Sequence, residues 1–167
     1  MERLSNSYED LVSQVGKEFQ AIKPGDGQSL LVSYSEIPWF PGGQFCISVI
    51  STAKDNQTKL IKQVWDNEYD LNRFSSGVYN LDRLCIKRSD IDISAAQQNS
   101  LASIIHSITE APDTLNDETC IVLDGIDHHL TLNINNIDKK YRWHAATNDI
   151  KKFEPLISFL LTATSGK

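Results

Sequence analysis

The chain has 167 residues, of which 40% are hydrophobic and 23% charged, with a formal charge of −6 and a pI near 5.1. That length fits one domain spanning residues 1–167, able to bury roughly 70% of its unfolded surface without covalent staples. The acidity argues against a general nucleic-acid or anionic-membrane binder, because phosphates are repelled, and it suits a basic protein partner. It also fits the mild acidity by which many proteins stay dispersed.

The three cysteines, Cys46, Cys85 and Cys120, are widely spaced in apolar, strand-like runs. They form no CxxC pair, so a structural zinc site is not expected, and they read as reduced core thiols of a reducing compartment. No apolar stretch has signal-peptide or membrane-span length, so the expected location is cytoplasmic.

In chain order, Leu11, Val15, Phe19 and Ile22 fall on one helical face, with Asn6 or Ser7 as cap and Pro24-Gly25-Asp26-Gly27 as the stop. Strands are predicted at Ser29–Ile37, Gln44–Ser51 and Thr58–Trp65. The Pro38–Gly43 segment between the first two reads as a loop. The polar stretch Asp66–Gly77 reads as a long connection and the weakest seam, and Val78–Lys87 as a fourth strand.

Ser94 and Gln97 make a capping-box pattern ahead of the stripe Leu101, Ile104, Ile105 and Ile108, which predicts a second helix. Strands are predicted at Thr119–Asp124, His128–Ile134 and Lys140–Ala145, with turns at Asp124-Gly125 and Asn135-Asn136. A last helix spans about Asp149 to Ala163 and places Pro155 in its first turn or at a kink. The expected fold is α+β, an antiparallel sheet of about seven strands with three helices in the order α-β4-α-β3-α.

No catalytic, cofactor or metal pattern emerges, and the chain is expected not to be an enzyme. There is no GxSxG, GxGxxG or P-loop string. His128 and His129 are adjacent, with His144 on the following strand. Neighbours on a strand point to opposite faces, so these three do not converge without a bulge. His128 is expected to share the inward face with Leu130 and Leu132.

Two features suit a binding surface. Trp39 and Phe40 sit on the Pro38–Gly43 loop, where rigid aromatic anchors could act as hot spots or fold back onto the core. Glu110, Asp113, Asp117, Glu118, Asp124 and Asp127 form a carboxylate cluster that could steer a basic partner or be a solvated loop. Trp39, Phe40, Asp113, Asp117, Glu118, Asp124 and Asp127 are therefore the candidate partner-binding residues.

From Leu81 to Leu161 the chain carries Leu84 and Ile86, then Ser94 opening a helix with Leu101, Val122-Leu123-Asp124-Gly125, Leu130-x-Leu132, Tyr141-x-Trp143 and an apolar closing helix. This arrangement resembles small bacterial α+β proteins, some of which are immunity proteins of polymorphic or contact-dependent toxin systems. In that pattern a tyrosine or tryptophan usually follows the Leu-Asp-Gly turn, and here His128 takes the place. The resemblance implies a non-catalytic inhibitor that binds a cognate toxin, and a nuclease toxin's basic surface would favour an acidic partner. Alternatives from other classes are an acidic, dimeric secretion chaperone and a metal-dependent enzyme using the histidines.

Overall fold

The computed structural model describes residues 2–20 (backbone alone for 2–7), 22, 24–39, 42–53, 57–78, 83–108, 125–134, 136–144 and 150–165. The elements are α1 (Glu2–Gln20), β1 (Gln28–Pro38), β2 (Phe45–Thr52), β3 (Gln57–Trp65), α2 (Asn67–Ser75), β4 (Ile86–Asp92), α3 (Ala95–Ser107), β5 (Ile126–Ile134), β6 (Ile137–Trp143) and α4 (Glu154–Thr164). A 3-10 turn at Ile150–Lys152 precedes α4.

The fold is α+β. All six strands are antiparallel to their neighbours, in the order β4-β3-β2-β1-β5-β6. Short turns explain the β1–β2–β3 meander and the β5–β6 hairpin, whose turn uses Asn136 at a φ of 63°. Asparagine tolerates that left-handed conformation better than most residues. The pairing of β1 with β5 is long-range. It runs from Val32↔Leu132 to Pro38↔Ile126 and places β1 in the interior of the sheet.

Both faces of the sheet carry helices, one of them only in part. On one, Val32, Tyr34, Ile47, Val49, Leu60, Leu130 and Leu132 meet Leu101 of α3 and Leu156 and Leu160 of α4. Each large apolar side chain buried in this way contributes roughly 1.5–3 kcal/mol. On the other, Leu11, Val15 and Phe19 of α1 meet Cys46, Trp65 and Phe74. β2 serves both layers, so its residues from Cys46 to Ile50 are all buried and its outward positions are not solvent-facing.

Several expectations are corrected. α1 begins at Glu2, so Asn6 and Ser7 lie inside the helix and do not cap it. Residues 2–8 contain neither proline nor glycine, and nothing there breaks the helix. β1 continues through Pro38, one residue into the expected loop; a proline is tolerated at a strand end.

The stretch read as a polar connection folds into α2. Asp66 caps it by accepting from Tyr69 N at 3.2 Å, and Glu68 and Asp70 sit in its first turn. It escapes periodicity analysis because its docked face is built from Phe74, Leu71 and a buried carboxylate, Asp70.

The fourth strand is Ile86–Asp92, not Val78–Lys87. The register Trp65↔Ile86 and Leu60↔Ile91 lets Ile91 reach the core, while Lys87, Arg88 and Asp90 protect an open sheet edge. The described residues thus hold six strands and four helices instead of about seven and three. The expected strand Thr119–Asp124 lies outside them.

The capping box of α3 forms as expected: Gln97 N donates to Ser94 Oγ at 3.3 Å, and Ser94 N to Gln97 Oε1 at 2.9 Å. Pro155 lies in the first turn of α4, where its missing N–H costs nothing.

Candidate partner-binding end of the sheet

β1 and β3 end, and β2 and β5 begin, at one end of the sheet. The β1–β2 loop turns there through Gly42 and Gly43, both at positive φ (126° and 76°), conformations that disfavour any side chain. Gln44, fully buried, ties the loop down from below. Its Oε1 accepts from Gly42 N at 3.2 Å, and its Nε2 donates to the Pro38 carbonyl and to the Tyr8 hydroxyl, each at 3.4 Å.

Trp39 projects from this loop with 44% of its surface exposed. Its backbone N–H donates to the Gly125 carbonyl at 3.1 Å, and its ring lies edge-on to His144 at 5.8 Å. Ile126, cross-strand from Pro38, is exposed beside it. The start of α2 lies against the same loop, since a Cβ on Gly42 would come within 3.9 Å of Asn67 Nδ2. α2 adds Tyr69, 57% exposed. Sequence reasoning missed Tyr69 because it treated its segment as a connection; the available signal was the Asp66 cap followed by Glu68.

Asp127 is the other expected partner residue within the described set. It is held by two side chains at the end of β6: Arg142 Nη2 lies 3.1 Å from Oδ2, and His144 Nδ1 lies against Oδ1. Its side chain retains little exposure. Phe40, Asp113, Asp117, Glu118 and Asp124, together with Glu110, lie outside the described residues. Nearby acids are also engaged: Asp66 pairs with Lys87 at 2.7 Å, and Asp70 with Arg73 at 2.9 Å. Lys87 and the Tyr69 amide hold the Asp66 carboxyl below its usual value.

The opposite face carries a polar chain. The Tyr34 hydroxyl donates to Glu36 Oε1 at 2.6 Å, so its oxygen accepts from His128 Nδ1–H at 3.0 Å. His128 stacks on Trp143, with centroids 5.2 Å apart and planes 8° from parallel. Burial, reinforced by Glu36, pushes the Tyr34 phenol well above its ordinary value. Burial also lowers the His128 imidazole, while Glu36 and Asp127 pull the other way.

His128 does lie on the Leu130 and Leu132 face, though partly exposed at 21% of its side chain. His129 points to the other face, lowered first by burial and then by Arg142. The histidines do not converge, and among the described residues no group of three or more His, Cys, Asp or Glu side chains could hold a metal ion.

Comparison of the chain with known family models, with curated proteins and with solved structures finds no match. Among the described residues, no helix is long and apolar enough to cross a membrane.

Proposed function

We propose that this protein is an immunity-type inhibitor that binds and neutralises a cognate bacterial toxin, and that the Trp39 end of the sheet is its docking surface. The observation that carries the reading is Trp39 itself: a large aromatic held outward on a loop braced by Gln44 and the Gly125 carbonyl. An anchor fixed before binding loses little entropy on association, and tryptophan and tyrosine dominate interface energetics. Tyr69 and Ile126 extend the surface. The net charge of −6 favours a basic toxin surface and raises the encounter rate more than the final affinity.

The test is co-expression with the protein encoded immediately upstream of this chain, taken as the candidate toxin. Rescue of growth is expected, together with a complex that survives gel filtration. Trp39→Ala should weaken that complex by about 2 kcal/mol or more, some thirtyfold, with the unfolding midpoint unchanged. The absence of a toxic neighbour, or a toxic neighbour whose effect this protein fails to relieve, would rule the function out. Full affinity in Trp39→Ala would move the docking surface elsewhere.

A further inference from the structure

α1 covers only part of its face of the sheet. Its buried side chains gather over β2, β3 and α2, with Cys46, Trp65 and Phe74. The β5–β6 half of that face keeps polar side chains, and the strand register lines them up. Ser48, Ser33, Thr131 and Lys140 form one row across β2, β1, β5 and β6; Cys46, Ser35, His129 and Arg142 form the next. Side chains in a cross-strand row share a face and lie within reach of one another. Between these rows and α1 lies a cavity of about 320 Å³. That is the small end of the range for ligand sites, roughly 300–1,000 Å³.

The cavity has two chemically distinct ends. Phe19, Ile22 and Leu30 supply an apolar wall from α1 and the start of β1. Lys140 and Arg142 stand on β6, two strands away, about 10 Å at the usual strand spacing. Between them the Ser35 and Thr131 hydroxyls make no hydrogen bond among the described residues, while Ser33 accepts from Ser48 at 3.4 Å. His129 is half-buried and uncharged at neutral pH, so it can donate or accept there.

The placement of the charges selects the ligand. Arg142 is shared with Asp127, and Asp138, which also lines the cavity, accepts from Asn133 Nδ2 at 2.7 Å. Asn133 is neutral and leaves the Asp138 charge in place, so Arg142, Lys140, Asp127 and Asp138 sum to zero, and Lys140 is the lining cation held by no ion pair among the described residues. A dianionic phosphate would bring a second charge towards Asp127 and Asp138.

We propose that this cavity binds a small organic monocarboxylate, its head held by Lys140 and Arg142 and its apolar body laid against Phe19, Ile22 and Leu30. The site adjoins the Trp39 end through the Arg142–Asp127 pair, but it does not depend on the toxin-binding reading.

The experiment is amide NMR on the full chain, titrated with hexanoate, acetate, 1-hexanol and inorganic phosphate at matched ionic strength. Hexanoate should give saturable shifts at Ser33, His129, Thr131 and Lys140. Because both ends of the ligand are recognised, it should bind about fivefold or more tighter than acetate, 1-hexanol or phosphate. Lys140→Gln should weaken hexanoate about fivefold or more, and Thr131→Val should weaken it in the same direction. Lys139→Gln, one residue away on the opposite face of β6, should leave it unchanged. No saturable shift with hexanoate, phosphate binding as tightly, or equal affinity in Lys140→Gln and Lys139→Gln would each overturn the proposal.

Discussion

Asp70 is the residue whose removal should be most revealing about how this fold is held. Its carboxylate is fully buried and accepts three donors from separate stretches of chain. Oδ2 takes Trp65 Nε1 at 2.7 Å from the end of β3 and Cys85 N at 2.8 Å from the approach to β4; Oδ1 takes Arg73 Nη2 at 2.9 Å within α2. One side chain thus fastens α2 to the sheet and fixes where the chain returns.

Asp70→Ala strands two buried N–H donors, each costing about 1–3 kcal/mol, and removes a charged partner from a mostly buried guanidinium. Breaking a buried ion pair at one partner alone costs about 3–5 kcal/mol. These contributions overlap, so about 4 kcal/mol is expected for the whole change, a large share of a typical domain stability of about 5–15 kcal/mol. Asp70→Asn keeps one acceptor for Trp65 and Cys85 but turns an amide N–H₂ towards Arg73. It should cost about 3 kcal/mol through loss of the pair.

Trp65→Phe removes one donor and leaves the carboxylate two others, so about 1–2 kcal/mol is expected. Urea unfolding followed by far-ultraviolet circular dichroism measures all three, and the Asp70/Trp65 double-mutant cycle isolates their coupling. A cost below about 1 kcal/mol for Asp70→Ala would refute the view that this carboxylate anchors α2.

Other consequences are as direct. Ser94→Ala removes the side-chain acceptor of the α3 capping box and should lower stability by about 1 kcal/mol in the same urea assay. Phe153→Ala empties a fully buried position packed on Tyr141 (centroids 4.7 Å apart) and Trp143, and should cost about 3–5 kcal/mol, read as a lower thermal midpoint. His128 and His129 are both lowered from an ordinary value of 6.5, so below that value the unfolded chain takes up protons that the folded chain resists. Stability from these groups is therefore intact above about pH 6.5 and lost as pH falls through their lower folded values. Urea midpoints should drop between about pH 7.5 and pH 5.5, and substituting both histidines by glutamine should flatten that drop.

Where one element's own residues carry the signal, the sequence by itself determined the outcome. The stripe through Leu11, Val15 and Phe19 specified a helix, and Ser94 with Gln97 specified where α3 starts. Alternation placed β1, β2 and β3 to within one or two residues of their observed bounds, and the string of strands separated by turns specified an antiparallel α+β fold. The glycines after Pro38 announced a loop between β1 and β2, but whether Trp39 stands exposed or folds back onto the core was left open by the sequence and decided by the structure.

Tertiary structure decided whatever depends on partners distant in sequence. α2 exists as a docked helix because Asp70 finds Trp65 and Cys85, a burial that no hydrophobic period announces. β4 is set by its register with β3, which overrides the more apolar run before it. The fate of Asp127 is a pairing choice too: only the β5–β6 register brings Arg142 and His144 to it. The same cross-strand logic assembles the polar rows beside α1 from serines, a threonine, a histidine and a lysine that are unremarkable along the chain. A sheet brings side chains together by register, and register is a property of pairs of strands.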